Sequence, residues 1–304
     1  MGDAPPLQRR RIVLGGVVVD VSSRGARAAS LVDFLLGPQV RSGASRVAAW
    51  SEEIDDAPPV HYHLAFDDRP VATLCRNGAL IHTGESRGAV AELLLGEIGR
   101  HLATHARAGP MFHAAAVALD RERGVLLPGV IAAGKTTLTA WLLASQGLAY
   151  LTDELVFVPQ ATATLRGFSR PLNLKPGGWA ALRRELAPDF FAAEASGATL
   201  SYDGGLLIAP SALTPVSTRA TAPLRLILFP HYAPDADFEL RLLSRAQAGM
   251  RLMACLVNAR NLPAHGLAEI ARLARQAPAY ELRYAGLDQL AARLPPFFAQ
   301  FPRA

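Results

Sequence analysis

Nine consecutive residues, Gly129-Val130-Ile131-Ala132-Ala133-Gly134-Lys135-Thr136-Thr137, fit the pattern G-x-x-x-x-G-K-[ST]. In such a loop the backbone N–H groups line a concave surface at the positive end of a helix, a natural seat for phosphate oxygens. The nine residues are expected to hold a nucleotide through that backbone, with Lys135 reaching the β- and γ-phosphates and Thr136 placing its hydroxyl on Mg²⁺. A chance match on a Gly-containing turn gives the same letters, so the flanks decide. Gly124-Val125-Leu126-Leu127-Pro128 is an apolar run bounded by Gly and Pro, which reads as a buried strand. Leu138 to Ala144 is apolar with helical spacing and stops at Gly147, a suitable C-cap. Strand, loop and helix come in the required order.

Two carboxylates, Asp153 and Glu154, follow 18 residues after Lys135, at the end of the short apolar run Ala149-Tyr150-Leu151. Ligands of open α/β sheets sit at the carboxyl ends of strands, so this pair should face the same crevice as the loop. One acid can hold Mg²⁺ while the other accepts a proton from an attacking hydroxyl. A solvated acidic turn is the plainer alternative. Transport-type ATPases also carry an Asp-Glu pair, but after a longer helical insertion with a Ser-Gly-Gly signature, and neither is present here.

Of the 31 basic residues only Lys135 and Lys175 are lysines; the other 29 are arginines. A compact ammonium differs from a planar guanidinium in what it can reach, so Lys175 is a second candidate for phosphate or substrate, or else an accident of composition. His113, in the apolar segment Met111-Phe-His-Ala-Ala-Ala-Val117, reads from the residues alone as a core histidine satisfied by a backbone carbonyl.

The elements that must position these groups can be traced along the chain. With 304 residues, half of them apolar and 19% charged, the chain is long enough for one large domain or two smaller ones and too apolar for disorder. The net charge of +5 suits anionic substrates without forming a nucleic-acid patch, and the Arg9–Arg11 cluster is expected to be a solvated tail. No apolar run reaches bilayer length, no cleavage site follows the charged N-terminus, and Cys75 and Cys255 suggest neither a disulfide nor a metal centre. A cytoplasmic protein, binding neither membrane nor nucleic acid, is expected.

Residues 1–108 are expected to form a small strand-rich α+β module. Its parts are a strand over 11–21, a helix over 26–36, a polar stretch over 42–59, strands over 60–66, 71–75 and 79–82, and a helix over 86–105. Residues 109–304 are expected to form an α/β domain with a central mixed sheet. Its strands fall at 111–119, 124–127, 149–151, 155–158, 224–229, 238–243 and 280–284. A basic loop over 167–176 and a turn over 231–237 interrupt them, and 190–203 is poorly patterned. Helices are expected over 138–144, 179–186, 246–257, 267–276 and 287–294.

The order His113-Ala-Ala-Ala-Val, then Leu126-Leu127-Pro128-Gly129 with its loop, then Leu151-Thr152-Asp153-Glu154-Leu155-Val156 resembles the catalytic domain of HPr kinase/phosphorylase. It is closer still to shorter HPr kinase-related bacterial proteins found with peptide-modification systems. Arg166-Gly167-Phe168-Ser169-Arg170-Pro171-Leu172-Asn173-Leu174-Lys175, Leu228-Phe229-Pro230-His231-Tyr232 and Tyr280-Glu281-Leu282-Arg283-Tyr284 are similar to later segments of the family. The resemblance spans residues 88–294.

It implies an HPr-kinase-like domain that moves the γ-phosphate of ATP to a Ser hydroxyl of a protein or peptide. Asp153 would be the general base, His113 would lie near the transferred phosphate, and Lys135 would hold the phosphates. Thr136 and Glu154 would serve Mg²⁺, and Arg170 and Lys175 would supply positive charge. A small-molecule kinase and a non-catalytic nucleotide-binding module remain the competing readings. The N-terminal module would dock substrate or cover the sheet, with self-association possible. The chain departs from the family pattern in three places: Ile131 and Ala132 replace Ser and Gly, Glu154 replaces Asp, and Thr164-Leu165 stands where a Glu precedes the Arg-Gly pair.

Overall fold

Gly15 and Gly16, with φ of 64° and 81°, fold the expected first strand into a hairpin. The computed structural model describes residues 7–37, 59–66, 71–185, 197–216 and 218–301, and gives two strands there, β1 (Leu7–Leu14) and β2 (Val17–Arg24). Two adjacent residues at positive φ match the twist of the strands they join, a condition Gly-Gly meets without strain. The Arg9–Arg11 cluster is therefore not a loose tail. It lies in β1, and Arg11 Nε donates to Asp20 Oδ1 at 2.7 Å across the hairpin.

Helix α1 (Ala26–Leu36), β3 (Val60–Phe66), β4 (Ala72–Arg76) and β5 (Ala79–Gly84) complete a five-stranded sheet in the order β1-β2-β3-β4-β5. The β4–β5 turn is the Asn77-Gly78 pair, both at positive φ. Most of the polar stretch over 42–59 lies outside the described residues. Helix α2 (Arg87–His105), capped by the Ser86 side chain, lays Val90, Leu94, Ile98 and Leu102 on the same apolar layer as α1.

The larger sheet is built from β6 (Met111–Ala118), β7 (Gly124–Pro128), β8 (Ala149–Thr152), β9 (Leu155–Phe157), β10 (Thr164–Arg166), β14 (Thr221–Tyr232), β15 (Glu239–Leu242) and β16 (Ala279–Tyr284). It is mixed: β7, β14 and β16 run parallel, while β6 is antiparallel to β7 and β15 to β16. A separate three-stranded sheet takes β11 (Leu172–Leu174), β12 (Thr199–Tyr202) and β13 (Gly205–Ile208) in the order β11-β13-β12. The expected basic loop thus contains β11, and β12 falls within the segment that shows no pattern in sequence. Residues 190–196 of that segment lie outside the described residues. Strand β14 runs on through Tyr232, so His231 belongs to a strand end and not to a turn.

Alternation along the central strands sends Val125, Leu127, Leu226, Leu228, Leu282 and Tyr284 to one face and Leu126, Ile227 and Phe229 to the other. Helices α3 (Lys135–Gln146), α4 (Pro176–Glu185) and α7 (Leu287–Ala299) cover the first face. Helices α5 (Arg245–Cys255) and α6 (Leu267–Gln276) cover the second. Met111, Leu155, Phe157 and Leu207 also join the apolar cluster of the N-terminal sheet, so one continuous core spans the chain at 108/109. The buried Asn258 fixes that junction: its Nδ2 donates to Ala106 O and Gly109 O at 2.9 Å, and its Oδ1 accepts from Met111 N at 2.8 Å.

Candidate active site

Between β7 and α3 the chain turns through residues 129–134. Ala132 takes φ 67° and Gly134 φ 88°. A side chain ordinarily resists this backbone, yet Ala132 adopts it. A left-handed Ala costs about 1–2 kcal/mol, which the surrounding fold must supply. At Gly134 no side chain fits, because a Cβ there would lie 2.6 Å from the Tyr284 hydroxyl oxygen. Tyr232 N donates to Ala133 O at 3.2 Å, so the ends of β14 and β16 brace the loop from behind.

Lys135 is only 7% exposed, and its Nζ donates to Gly129 O at 2.8 Å and Val130 O at 3.0 Å. Burial lowers its pKa, and the charges of Asp153 and Glu154 oppose that shift.

The two acids sit where β8 passes into β9. Both strands pair antiparallel with β6: Ala116 faces Thr152 and His113 faces Leu155, so Asp153 and Glu154 lie opposite Ala115 and Ala114. Ala115 belongs to the layer under α3, and Asp153 shares its side of the sheet. There Thr136 Oγ1 donates to Asp153 Oδ2 at 2.9 Å. A regular strand would send Glu154 to the opposite face, into the apolar layer of Ala114 and Ala116. Its φ of 80° turns it out of that register instead, and its Oε2 lies 3.3 Å from His113 Nε2.

These contacts hold the two neighbours in opposite electrostatic states. Asp153, 1% exposed, has its pKa raised by burial and then by the Glu154 charge, against the pull of Arg170, Thr136 and Lys135. Glu154 is driven down, chiefly by its hydrogen bond with His113 and further by the charges of Arg170, His113 and Lys135, with burial opposing. Environments that push adjacent carboxylates apart suit one to take up a proton and the other to stay charged.

Arg170 is brought to the pair by a short segment clamped against β8. Thr152 Oγ1 donates to Phe168 O at 3.1 Å and Tyr150 Oη to Arg170 O at 2.9 Å. Gly167 presses so close that a Cβ would meet the Thr152 Cβ at 2.3 Å. The Arg170 side chain is buried in turn. Lys175 is exposed, immediately before α4, and Gly178 of that helix lies against Thr137, where a Cβ would come within 2.3 Å of Oγ1. The structure thus brings His113, Lys135, Thr136, Asp153, Glu154 and Arg170 into one electrostatic cluster, with Lys175 just ahead of a helix that touches the loop helix. It pairs Thr136 with Asp153 and Glu154 with His113, where the sequence grouped Thr136 with Glu154. Tyr232 and Tyr284 behind the loop close the two later segments that resemble the family, but nothing in those segments shows that they meet the loop.

Among the described residues no group of three or more His, Cys, Asp and Glu side chains is arranged to hold a metal ion. Mg²⁺ does not require one, since it keeps several waters and takes substrate phosphates along with one or two protein oxygens. Asp153 Oδ1 is buried with no hydrogen-bond partner, beside the Thr136 hydroxyl. A carboxylate oxygen left unsatisfied next to a hydroxyl fits such an ion.

No protein-family model and no curated protein sequence matches the chain. Among solved structures it is similar to the Hpr(Ser) kinase/phosphatase from Coxiella burnetii, 13% identical over 62% of this chain and 98% of that one, at a TM-score of 0.30. A likeness at that level carries no functional argument. Within the described residues no helix is long and apolar enough to cross a membrane.

Proposed function

We propose that this chain is a Mg²⁺- and ATP-dependent kinase that transfers the γ-phosphoryl group to a Ser hydroxyl of a protein or peptide. The observation that carries the reading is the Thr136–Asp153 hydrogen bond, which ties the phosphate-loop helix to the acid pair. Phosphoryl transfer needs positioning and charge neutralisation more than covalent chemistry from the protein. Lys135 exchanges its bonds to the loop carbonyls for the β- and γ-phosphates, and Arg170 adds positive charge beside the acids. Asp153 takes the proton of the attacking hydroxyl, and its raised pKa makes it a better acceptor than an exposed carboxylate. Thr136 and Glu154 would hold Mg²⁺, with His113 keeping Glu154 charged and oriented. The ion, when bound, neutralises charge on the phosphates. Lys175, exposed just before α4, adds positive charge for substrate or phosphates. That the acceptor is a Ser in a polypeptide rests on the sequence resemblance alone.

Replacing Asp153 with Asn tests the central role. Phosphoryl transfer to co-expressed polypeptides, followed by mass spectrometry, should fall by about 10²–10⁴-fold, the range of a positioned base. ATP affinity should stay within a few-fold. Undiminished transfer in Asp153→Asn removes Asp153 as the base. A phosphorylated metabolite in the absence of any phosphorylated polypeptide removes the peptide acceptor.

A further inference from the structure

The N-terminal sheet has two unlike faces. Val19, Val21, Tyr62, Leu64 and Leu74 join the apolar layer under α1 and α2. Alternation turns the residues between them the other way, so Ser22, His61, His63 and Cys75 share the opposite face. The strand register places Ser22 of β2 beside His63 of β3, and Cys75 of β4 directly across from His63. Four residues with ligand or nucleophile chemistry thus meet on one surface, and none of them belongs to the cluster around Asp153.

Three features define what this surface can hold. First, His61 Nε2 and His63 Nδ1 each lie 2.8 Å from Ser22 Oγ, so both rings aim at one point and their nitrogens stand no more than twice that distance apart. Ser22 beneath them is buried, whereas both rings and Cys75 are part-exposed and open to a solute. Second, Cys75 is a free thiol one strand over, and facing residues of paired strands hold their Cβ atoms about 4.5–5.5 Å apart. Third, Asp20, which faces His61 in the register, has both carboxylate oxygens engaged by Arg11, at 2.7 and 2.8 Å. The face therefore offers nitrogen and sulfur in place of a free carboxylate, the donor set of Zn²⁺ and not of Mg²⁺.

A plainer account satisfies these groups without an ion: both rings donate to Ser22 Oγ while the hydroxyl donates to Tyr62 O at 3.3 Å. A change of tautomer turns the same two lone pairs inward, and rotation of the rings brings both toward a Zn–N bond length of about 2.0–2.1 Å. No three-ligand cluster stands ready among the described residues, so the thiol must swing in to complete one.

We propose that His61 and His63 chelate a divalent transition ion of the Zn²⁺ type, with the Cys75 thiolate as third ligand and a water as fourth. The thiol proton leaves to solvent as the metal–sulfur bond forms. The ion ties β3 to β4 and steadies the N-terminal sheet. It has no part in the phosphoryl transfer proposed above, so the two readings stand or fall separately.

Calorimetric titration of the reduced, untagged full chain with Zn²⁺ tests the chelate, with excess Mg²⁺ present to occupy oxygen-donor sites. The wild type should bind a single Zn²⁺, and His61→Gln or His63→Gln should each weaken it by about 10²-fold, the low end of what two tethered contacts gain over one. Glutamine can still hydrogen-bond to Ser22, which protects the fold, and circular dichroism checks it. With Co²⁺ in place of Zn²⁺, a sulfur-to-cobalt charge-transfer band should appear, vanish in Cys75→Ser and persist in Cys255→Ser. Saturating Zn²⁺ should raise the urea midpoint of the wild type and leave that of the double histidine variant unchanged. Absence of Zn²⁺ binding by the wild type overturns the proposal. A loss of no more than about twofold in both histidine variants marks an adventitious ion only and overturns it equally. A cobalt–sulfur band that survives Cys75→Ser assigns the ion to another thiol and removes this site.

Discussion

In the N-terminal sheet, Ser22 Oγ lies 2.8 Å from both His61 Nε2 and His63 Nδ1, and on the helix α2 packed against it the rings of His101 and His105 meet at a tilt with centroids 4.2 Å apart. Burial lowers the pKa of His63 and of His101, and neighbouring positive groups reinforce both shifts. The larger sheet does the opposite. Lys135, Asp153 and Arg170 are buried beside the part-exposed Glu154, with both signs present, and Glu154 is held charged by His113. Burying a charge is costly unless partners offset it, so a fold that concentrates four ionisable groups in one place has given up stability there. The first module disfavours charge on two of its histidines, whereas the second sheet gathers charges of both signs around one place. That contrast favours the second sheet as the seat of the proposed chemistry, and it can be attacked from either side.

The largest expected effect comes from the backbone that shapes the charged site. Gly134→Ala must hold a side chain at φ 88° and push the Tyr284 hydroxyl aside from 2.6 Å. Such a change should cost about 2–3 kcal/mol in urea unfolding, strain and clash together, and abolish measurable ATP binding. Ala132→Gly is its counterpart two residues earlier, at φ 67°. Relief of the left-handed strain and the added freedom of the unfolded chain nearly offset each other there, so stability should change by no more than about 1 kcal/mol. If both variants behave alike, the loop is not held in one conformation by the β14 and β16 ends, and the contrast between the two sheets weakens.

Much of the larger sheet's site is legible in the sequence, because its features are local. The phosphate loop carries its geometry in its glycines, and α3 ends at Gly147 in the left-handed region as the pattern predicts. Asp153 and Glu154 are visible as acids at a strand end. Their division of labour is not, because it depends on the φ of Glu154 and on His113 from another strand. His113 itself reads as a core residue in sequence, since nothing local shows a carboxylate 41 residues later within 3.3 Å. The Gly15-Gly16 hairpin was the opposite case: the turn letters were present, but the apolar run on both sides of them masks the break. Strands β10 to β13 have only three or four residues each, too few for a period to register, and they depend on distant partners such as Ala222 for Leu165.

An intermediate effect separates orientation from bulk charge. His113→Ala removes the group that pins Glu154 at 3.3 Å, and leaves Lys135, Arg170 and the loop in place. Partners that orient a metal-binding carboxylate typically matter by about 10–100-fold, so transfer at limiting Mg²⁺ should fall by that much and recover in part at saturating Mg²⁺. His113→Gln, which can still donate to Glu154, should lie between the two. Loss of the same size at every Mg²⁺ concentration would mean that His113 acts on the phosphate directly. Either way the histidine of the charged sheet would be shown to work by keeping a neighbour ionised, or by meeting the substrate.

The smallest effect belongs to the N-terminal sheet, where the histidines are expected to matter for folding alone. Burial, aided by His105 and Arg76, brings the His101 pKa down to about 4, below the ordinary 6.5 that it regains on unfolding. Between those values the unfolded chain binds a proton that the folded chain does not, so folding stability rises with pH across that interval. The contribution is therefore complete above about pH 6.5 and is lost as pH falls toward 4. His101→Leu should flatten that slope in urea-midpoint measurements and leave ATP binding and transfer at neutral pH unchanged. A His101→Leu protein with the wild-type slope would locate the acid sensitivity elsewhere. One with impaired transfer would show that the N-terminal sheet reaches the chemistry, and the division between the two sheets would no longer hold.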